Sequence, residues 1–250
     1  IHSSVSGKVV KIDSILMQSG AKTQVVIIES DGQQTIDPSI KPPVIESEAD
    51  LVKAARDSGL VGLGGAGFPT HIKINPNPAV KANIDYLLIN AAECEPYLTP
   101  DVREILENAE HVVAGMKLVA KHLEVKNAVI GIEDNKPEAV KALNACLCKE
   151  DGITVDVLPA KYPQGAEKQL IYAVTGREVP SGGLPAAVGC AVFNAATVKA
   201  IHDVVYDGMP LIKRIVTVSG DILMEPKNLM VPIGTSFNEL IDACGLAQNP

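Results

Sequence analysis

Residues 86–96 have the sequence YLLINAAECEP, and this stretch indicates the fold of the chain. Its first four residues form an apolar run of the kind found in parallel strands that are buried on both faces. Polar side chains follow immediately, at Asn90, Glu93 and Glu95. In open α/β sheets, ligands bind at the carboxyl ends of the strands. The stretch therefore predicts a central strand and, directly after it, one wall of a binding site.

Alternating helix and strand patterns continue on the carboxyl side of this strand. Residues 101–123 carry apolar side chains close to a 3.6-residue period and predict a long helix, in which His111 and His122 are interpreted as packed or solvated. A polar-poor loop precedes Asn194. The further elements predicted are strands at residues 129–132 and 154–158 and helices at residues 137–147, 162–175 and 194–205. This order predicts an α/β fold with a Rossmann-like parallel-sheet core.

Both ends of the chain have strand patterns instead. Short strands at residues 5–12, 15–17 and 23–29 predict a small β module, which Lys41-Pro42-Pro43 separates from the core. Strands return after residue 213 and lead to a short helix at residues 236–244. We therefore predict a small β module in residues 1–44, the α/β core in residues 45–208, and the start of another small domain in residues 209–250.

A second motif, GLGGAGFPTHIK at residues 62–73, precedes the central strand. It combines four glycines, a flat aromatic ring and a positive charge, at Gly62, Gly64, Gly65, Gly67, Phe68 and Lys73. Because glycines have no Cβ atoms, one side of such a loop is open, and several of its backbone N–H groups can converge on a phosphate or a dinucleotide. The loop follows a predicted helix at residues 47–58 and lacks a final Gly-Lys-Ser/Thr, so it fits neither the dinucleotide fingerprint nor the P-loop. Taken alone, the loop is equally consistent with a structural turn.

Composition excludes several classes of function. The 250-residue chain has a formal net charge of −8 and a pI near 5.2, and its scattered basic residues leave no nucleic-acid footprint. No apolar run approaches the ~20 residues that span a bilayer, so direct membrane insertion is not expected. The five dispersed cysteines indicate a reducing, cytoplasmic compartment, and Cys94 is interpreted as structural. Without a Cys-x-x-Cys pair, neither an iron–sulfur cluster nor another metal site is predicted.

Four motifs in order carry a family resemblance: GLVGLGGAGFPTHIK at residues 59–73, NAAECEP at 90–96, KYPQGAEKQL at 161–170 and FNAATV at 193–198. Together they resemble RnfC, a component of the Rnf electron transport complex, and, more distantly, the flavin- and NADH-binding subunit of respiratory NADH dehydrogenase. The resemblance covers about the whole chain. It implies a barrel-sandwich hybrid module in residues 1–44, a Rossmann-like core that binds FMN and NADH, and the first part of a soluble-ligand-binding β-grasp domain from residue 209.

The resemblance also implies roles for individual residues. The glycines, Phe68 and Lys73 line the pocket for FMN and the dinucleotide, and Asn194 and Thr197 take the flavin phosphate. Residues beside the flavin and nicotinamide are Asn90, Glu93 and Glu95, of which Glu95 is the implied catalytic residue, and a second wall is formed by Tyr162, Gly165 and Glu167. Amide and carboxylate groups suit these places, because the cofactor itself carries out hydride transfer.

The implied function is that of an electron-transfer oxidoreductase, in which NADH reduces bound FMN and electrons leave to iron–sulfur carriers outside this segment. Implied partners are NADH, other subunits of an ion-translocating membrane complex, and ferredoxin or a similar carrier, with the chain peripheral on the inner face of the cell membrane. A cobalamin reductase or an amino-acid-reductase electron-transfer protein shares the same motifs. A non-catalytic scaffold that has lost its cofactor also stays open, because Ala92, Ala166 and Leu184 depart from the dehydrogenase pattern.

Overall fold

The computed structural model describes residues 2–17 and 19–247 and begins with an antiparallel hairpin. Its strands are β1 (Gly7–Leu16) and β2 (Lys22–Ser30). The sequence pattern predicted a break in the first strand after residue 12, and this prediction is wrong. Asp13 and Ser14 continue the ladder opposite Val25 and Gln24. Polar side chains are tolerated there because both strands are largely exposed to solvent.

Three helices connect the hairpin to the core. The first, α1 (Glu48–Asp57), has the expected start, because Ser47 and Asp50 form a reciprocal capping box. The glycine-rich stretch follows α1 directly. Two short helices, α2 (Thr70–Lys73) and α3 (Pro78–Lys81), then lead into the sheet. The loop is therefore anchored between two helices and is not part of a strand–loop–helix unit.

A four-stranded parallel sheet forms the core. Its strands are β3 (Tyr86–Ala91), β4 (Asn127–Glu133), β5 (Ile153–Leu158) and β6 (Cys190–Asn194), in the order β5-β4-β3-β6. The helices around it are α4 (Pro100–Leu123), α5 (Pro137–Ala145), α6 (Glu167–Thr175) and α7 (Ala195–His202). One large apolar cluster joins α4, α5 and α7 to one face of the sheet, and a smaller cluster joins α6 to the other. The predicted α/β class with a parallel sheet is confirmed.

Strand β6 replaces the loop that the sequence pattern predicted before Asn194. It lies on the opposite side of β3 from β4, with Asn90 and Asn194 in register at the carboxyl ends of the two strands. The sheet is thus extended on one side of β3 by β4 and β5 and on its other side by β6, so the strand order reverses at β3. In open α/β sheets this switch point is the place where a crevice for a ligand opens.

Two predicted helix boundaries are corrected. Helix α6 begins at Glu167 and not at residue 162, because residues 161–166 form a turn in which the N–H groups of Gln164 and Ala166 donate to the carbonyls of Lys161 and Pro163. Helix α7 ends at His202, and a wider π turn over Asp203–Asp207 follows it. The turn of residues 161–166 brings a loop to the same edge of the sheet as the glycine-rich stretch.

A second antiparallel hairpin follows the core. It pairs β7 (Lys213–Val218) with β8 (Lys227–Pro232), and α8 (Phe237–Cys244) comes next. The strand and helix patterns predicted after residue 213 are confirmed at this level. Within residues 2–17 and 19–247, each helix is too short or too polar to cross a membrane.

Candidate functional site

All residues that the motifs nominated line two joined cavities at the carboxyl edge of the sheet. The first, of about 280 Å³, lies under the glycine-rich loop, and the second, of about 350 Å³, lies beside the segment that follows β3. Gly64, Asn90, Gly165 and Asn194 line both cavities and so connect them. The first is also lined by Gly62, Gly67, Phe68, Lys73, Glu167 and Thr197, and the second by Gly65, Glu93, Glu95 and Tyr162.

The glycine-rich loop is closed at its base and open at its tip. Its base is fixed by the Gly62 N–H, which donates to the Phe68 carbonyl at 2.8 Å, and by the Leu63 N–H, which donates to the Thr197 hydroxyl at 2.9 Å. Within the part of the chain that the structure describes, the N–H groups of residues 64–68 have no hydrogen-bond partner. These residues are exposed at the mouth of the first cavity. Such a row of free donors is suited to an anion.

Glycine is required at the tip of the loop for two different reasons. Gly65 and Gly67 have φ angles of +110° and +61°, which side chains with a Cβ rarely adopt. At Gly64 the constraint is space, because an added Cβ would lie 3.2 Å from the Cβ of Asn194. The glycines thus allow the backbone conformation of the loop tip and its close approach to β6.

A positive charge and an unsatisfied hydroxyl lie behind the loop. Lys73 Nζ is 3.5 Å from Glu167 Oε1 and lies 5.1 Å from the centre of the Phe193 ring. The lysine side chain is one-third exposed, so it is available to a ligand in the first cavity. Thr70 lines the same cavity, and its hydroxyl oxygen is buried without a hydrogen-bond partner among the described residues. Buried polar groups normally have a hydrogen-bond partner, and a ligand in this cavity could supply the one that Thr70 lacks.

Asn90 ties the end of β3 to the loop at residues 161–166. Its Nδ2 donates to the Gly165 carbonyl at 2.7 Å, and the Gly165 N–H in turn points at Cys94 Sγ, 3.1 Å away. A Cβ at Gly165 would come within 3.1 Å of that sulfur and 3.5 Å of the Ala92 Cβ. A small residue at position 92 therefore permits this close approach. Cys94 acts here as a structural acceptor.

Glu93 and Asp101 place two carboxyl groups in the wall of the second cavity. Glu93 has a left-handed φ of +49° and accepts from the N–H groups of Asp101, at 2.6 Å, and Val102, at 3.1 Å, at the start of α4. Burial, together with the nearby charge of Asp101, raises the pKa of Glu93 to about 7. Burial also raises the pKa of Asp101 to about 6, against the hydrogen bond from Asn194.

Asn194 and Thr197 are engaged by other residues of the chain. Asn194 caps α7 by accepting the Thr197 N–H at 3.2 Å, and its Nδ2 donates to Asp101 at 2.5 Å. The Thr197 hydroxyl accepts from the loop, so its own hydrogen is left to donate. The pair therefore joins the glycine-rich loop, α7 and the start of α4 around the cavities.

Glu95 and Tyr162 differ from these anchored residues. Both are exposed, and Tyr162 retains 66% of its accessible surface. Neither side chain makes a hydrogen bond to another described residue. They line the mouth of the second cavity, where a ligand can reach them without breaking an existing contact.

Three further residues of the site were not predicted from the sequence: Thr70, Asp101 and Arg214. Asp101 resembles an ordinary acidic residue in the first turn of a helix, and only its contact with Asn194 reveals its place. Arg214, on β7, lines the second cavity, and its guanidinium is 3.3 Å from the Leu63 carbonyl. The available signal was the position of Asp101 a few residues after the strand-end motif NAAECEP.

Comparison with known proteins finds similar sequences over nearly the whole chain. Residues 55–203 match the family of the Nuo51 FMN-binding domain. The chain is 48% identical, over 98% of its length and 54% of the relative, to the C component of the proton-translocating ferredoxin:NAD(+) oxidoreductase complex of Clostridium ljungdahlii. It is 46% identical, over 98% of its length and 56% of the relative, to the C component of the Na(+)-translocating ferredoxin:NAD(+) oxidoreductase complex of Acetobacterium woodii. The resemblance to RnfC that the motifs indicated is confirmed.

The chain spans about half the length of these curated relatives. Among solved structures, an NAD+-reducing NiFe-hydrogenase in the air-oxidized state has a similar fold, with a TM-score of 0.69 and 22% sequence identity. The match covers 80% of this chain and 39% of the hydrogenase chain. It supports the α/β architecture described above.

Proposed function

Since the chain belongs to the family of the Nuo51 FMN-binding domain, we propose that it binds FMN between the glycine-rich loop and the carboxyl edge of the parallel sheet. One observation carries the proposal. Residues from four separate motifs converge on two joined cavities at the switch point of the sheet. A loop that served only as a turn has no need of such convergence.

The residues present fit a phosphorylated flavin. A phosphate group is a strong hydrogen-bond acceptor, and the loop at residues 64–68 offers N–H groups that have no partner within the described part of the chain. Lys73 adds a positive charge, and the buried hydroxyl of Thr70 lacks a partner in that part of the chain. Thr197, at the start of α7, has a hydroxyl hydrogen to donate. We assign the phosphate to these groups and the flavin ring to the side of Asn90 and Gly165.

When bound, FMN supplies the hydride and single-electron chemistry. The chain contributes binding, orientation and electrostatics. Because the pKa of Glu93 is about 7, its carboxyl group holds a proton for a substantial fraction of the time near neutral pH. Glu95, exposed at the mouth of the second cavity, is placed to accept a hydrogen bond from the carboxamide of a nicotinamide. We therefore assign the second cavity to NAD(H).

The wider role follows from the relatives. Their names describe components of ion-translocating ferredoxin:NAD(+) oxidoreductase complexes. We propose that this chain is the part of such an Rnf-type protein that exchanges electrons between NAD(H) and FMN, with iron–sulfur carriers outside the segment and ferredoxin as a partner of the assembled complex. It lies on the cytoplasmic side of the membrane, held there by the other subunits.

Titration with FMN followed by anaerobic NADH tests the proposal in two steps. We expect the fluorescence of FMN to be quenched at one equivalent per chain, and its absorbance to bleach when NADH is added. If FMN is not bound by the folded chain, the proposed site is wrong. If FMN binds and is reduced by dithionite but not by NADH, the site stands and the assignment of the second cavity to NAD(H) is wrong.

A further inference from the structure

Two histidines and an aspartate meet where α4 crosses α7, outside the glycine-rich loop. The helices are so close that a Cβ at Gly115 would lie 1.9 Å from the Val198 carbonyl oxygen. About one helical turn along each helix from this contact, His111 lies beside His202, with ring centroids 4.0 Å apart. Asp203 follows His202 directly. The potential ligand atoms of the three residues all lie within 4.8 Å of one another.

The spacing of these atoms suits a small cation. Asp203 Oδ1 is 3.3 Å from His202 Nδ1 and 3.7 Å from His111 Nδ1. Around a tetrahedral zinc ion with bonds of about 2.0–2.1 Å, neighbouring ligand atoms are about 3.3–3.4 Å apart. Two of the three separations are thus already close to the required length. His111 Nδ1 is also buried without a hydrogen-bond partner among the described residues, so a lone pair or a proton there is unsatisfied.

The surroundings hold the carboxylate in place and leave room for a further ligand. Lys199 Nζ binds the other oxygen of Asp203, Oδ2, at 2.8 Å, which leaves Oδ1 directed at the imidazoles. Such outer contacts orient the ligands of metal sites. His111 and Asp203 also line a cavity of about 220 Å³ between the core and the β7–β8 hairpin. A water molecule in that cavity can complete the coordination of an ion.

We propose that His111, His202 and Asp203 bind one divalent transition-metal ion, such as Zn²⁺, with water as the remaining ligand. Two imidazoles and one carboxylate form a donor set that suits Zn²⁺ and its neighbours in the first transition row. The two rings are stacked at an interplanar angle of 18°, so at least one must rotate before both lone pairs point at a shared ion. Metal binding therefore separates the stacked rings and links α4 to α7.

A metal competition assay on the full chain, stripped with a chelator, tests this site. We expect one equivalent of Zn²⁺ per chain, and an affinity at least about tenfold lower in His111→Asn and in His202→Asn, because each loses a direct ligand. The matched control is His71→Asn, on α2, which keeps the affinity of the natural chain. Co²⁺ in place of Zn²⁺ should give visible d–d bands without a thiolate charge-transfer band.

The opposite results overturn the site. These are no Zn²⁺ binding, equal affinity in the natural chain and both variants, or a thiolate band, which assigns the ion to cysteines such as Cys146 and Cys148. Where a variant does not fold, ¹⁵N imidazole spectra of the natural chain replace it. Zn²⁺ must then shift the signals of His111 and His202, and shifts confined to His2, His71 and His122 contradict the proposal.

Discussion

The candidate cofactor site has two sides that are built on opposite principles. The donor side is the glycine-rich loop, residues 62–73, and the acid side is residues 90–101. On the donor side, the N–H groups of residues 64–68 are exposed and lack a partner within the described part of the chain. On the acid side, Glu93 and Asp101 already have partners at the start of α4 and on β6. The hydrogen-bond donors of the donor side are therefore free for a ligand, whereas the carboxyl groups of the acid side are already held by the chain.

The two sides also differ in their exposure to water, and this difference decides which charge each side favours. Solvent reaches the donor side, so its free N–H groups cost little before a ligand arrives. The carboxyl groups of the acid side are removed from water, which raises the pKa of Glu93 to about 7 and that of Asp101 to about 6. The free N–H groups of the donor side are thus suited to an anion, whereas the raised pKa values of the acid side favour carboxyl groups that hold a proton near neutral pH. Each side can be disabled while the other is kept.

Gly65→Val is expected to have the largest effect, because it acts on the backbone of the donor side. Gly65 has a φ of +110°, which a β-branched residue avoids, so the loop must change shape and its free N–H groups are displaced. A Cβ at Gly65 meets no atom within 4 Å, so the substitution does not block folding. We expect the dissociation constant for FMN to rise at least about 100-fold, measured by fluorescence quenching.

The matched control is Gly20→Val in the turn between β1 and β2. Gly20 also has a positive φ, +80°, and open space around a Cβ, but it lies in a different part of the chain. The two variants should lose similar amounts of stability, about 1–3 kcal/mol from backbone strain, and only the first should lose FMN. A folded Gly65→Val chain that binds FMN as tightly as the natural chain contradicts the assignment of the donor side.

Glu93→Gln tests the acid side through the pH dependence of stability. The pKa of Glu93 is raised from 4.5 to about 7 by folding, so the folded chain holds a proton that the unfolded chain releases. This contribution to stability is complete below pH 4.5 and is lost as the pH rises through about 7. Allowing for partial exposure and coupling to Asp101, we expect it to amount to about 1–2 kcal/mol.

Urea unfolding at pH 5 and pH 8 measures this contribution. Between these values the natural chain should lose about 1–2 kcal/mol more than Glu93→Gln. Glutamine keeps one acceptor oxygen for the start of α4, so the variant should lose some stability at both pH values. Glu95→Gln serves as the control, because Glu95 is exposed and accepts no side-chain hydrogen bond from another described residue. Parallel pH curves for Glu93→Gln and the natural chain contradict the buried-acid interpretation.

A strand could be predicted from the sequence where its own residue pattern indicates one. It could not be predicted where pairing with a distant segment decides that the residues form a strand. Strands β3 and β4 have nearly continuous apolar runs that indicate burial in a parallel sheet, and β5 alternates apolar residues with Thr154 and Asp156. Strand β6 also begins with four apolar residues, but it has only five residues in all and follows a loop rich in glycine and proline. It becomes a strand because it pairs with β3, which lies far away in the sequence. Local patterns contain no information about such a partner.

Prediction of the site residues from the sequence has the same limit. The motifs supplied Asn90, Glu93 and the glycines, because each lies in a short, distinctive stretch. The contact between Asp101 and Asn194 depends on how the start of α4 meets the end of β6. Likewise, His111 and His202 come together only through the close crossing of α4 and α7. Packing of this kind is decided by the whole core and cannot be inferred from spacing along the chain.

Glu95→Gln is expected to have the smallest effect, and it separates binding from electron transfer. Glu95 is exposed on the acid side and makes no contact that holds the fold together. If it orients the nicotinamide, anaerobic stopped-flow should show flavin reduction by NADH slowed about tenfold, or about 1.4 kcal/mol in the barrier. The affinity for FMN should change less than about twofold, because the donor side is intact.

Glu110→Gln, on the exposed face of α4, makes the same change in charge and should alter neither quantity. Equal reduction rates in Glu95→Gln and the natural chain would place the nicotinamide away from Glu95.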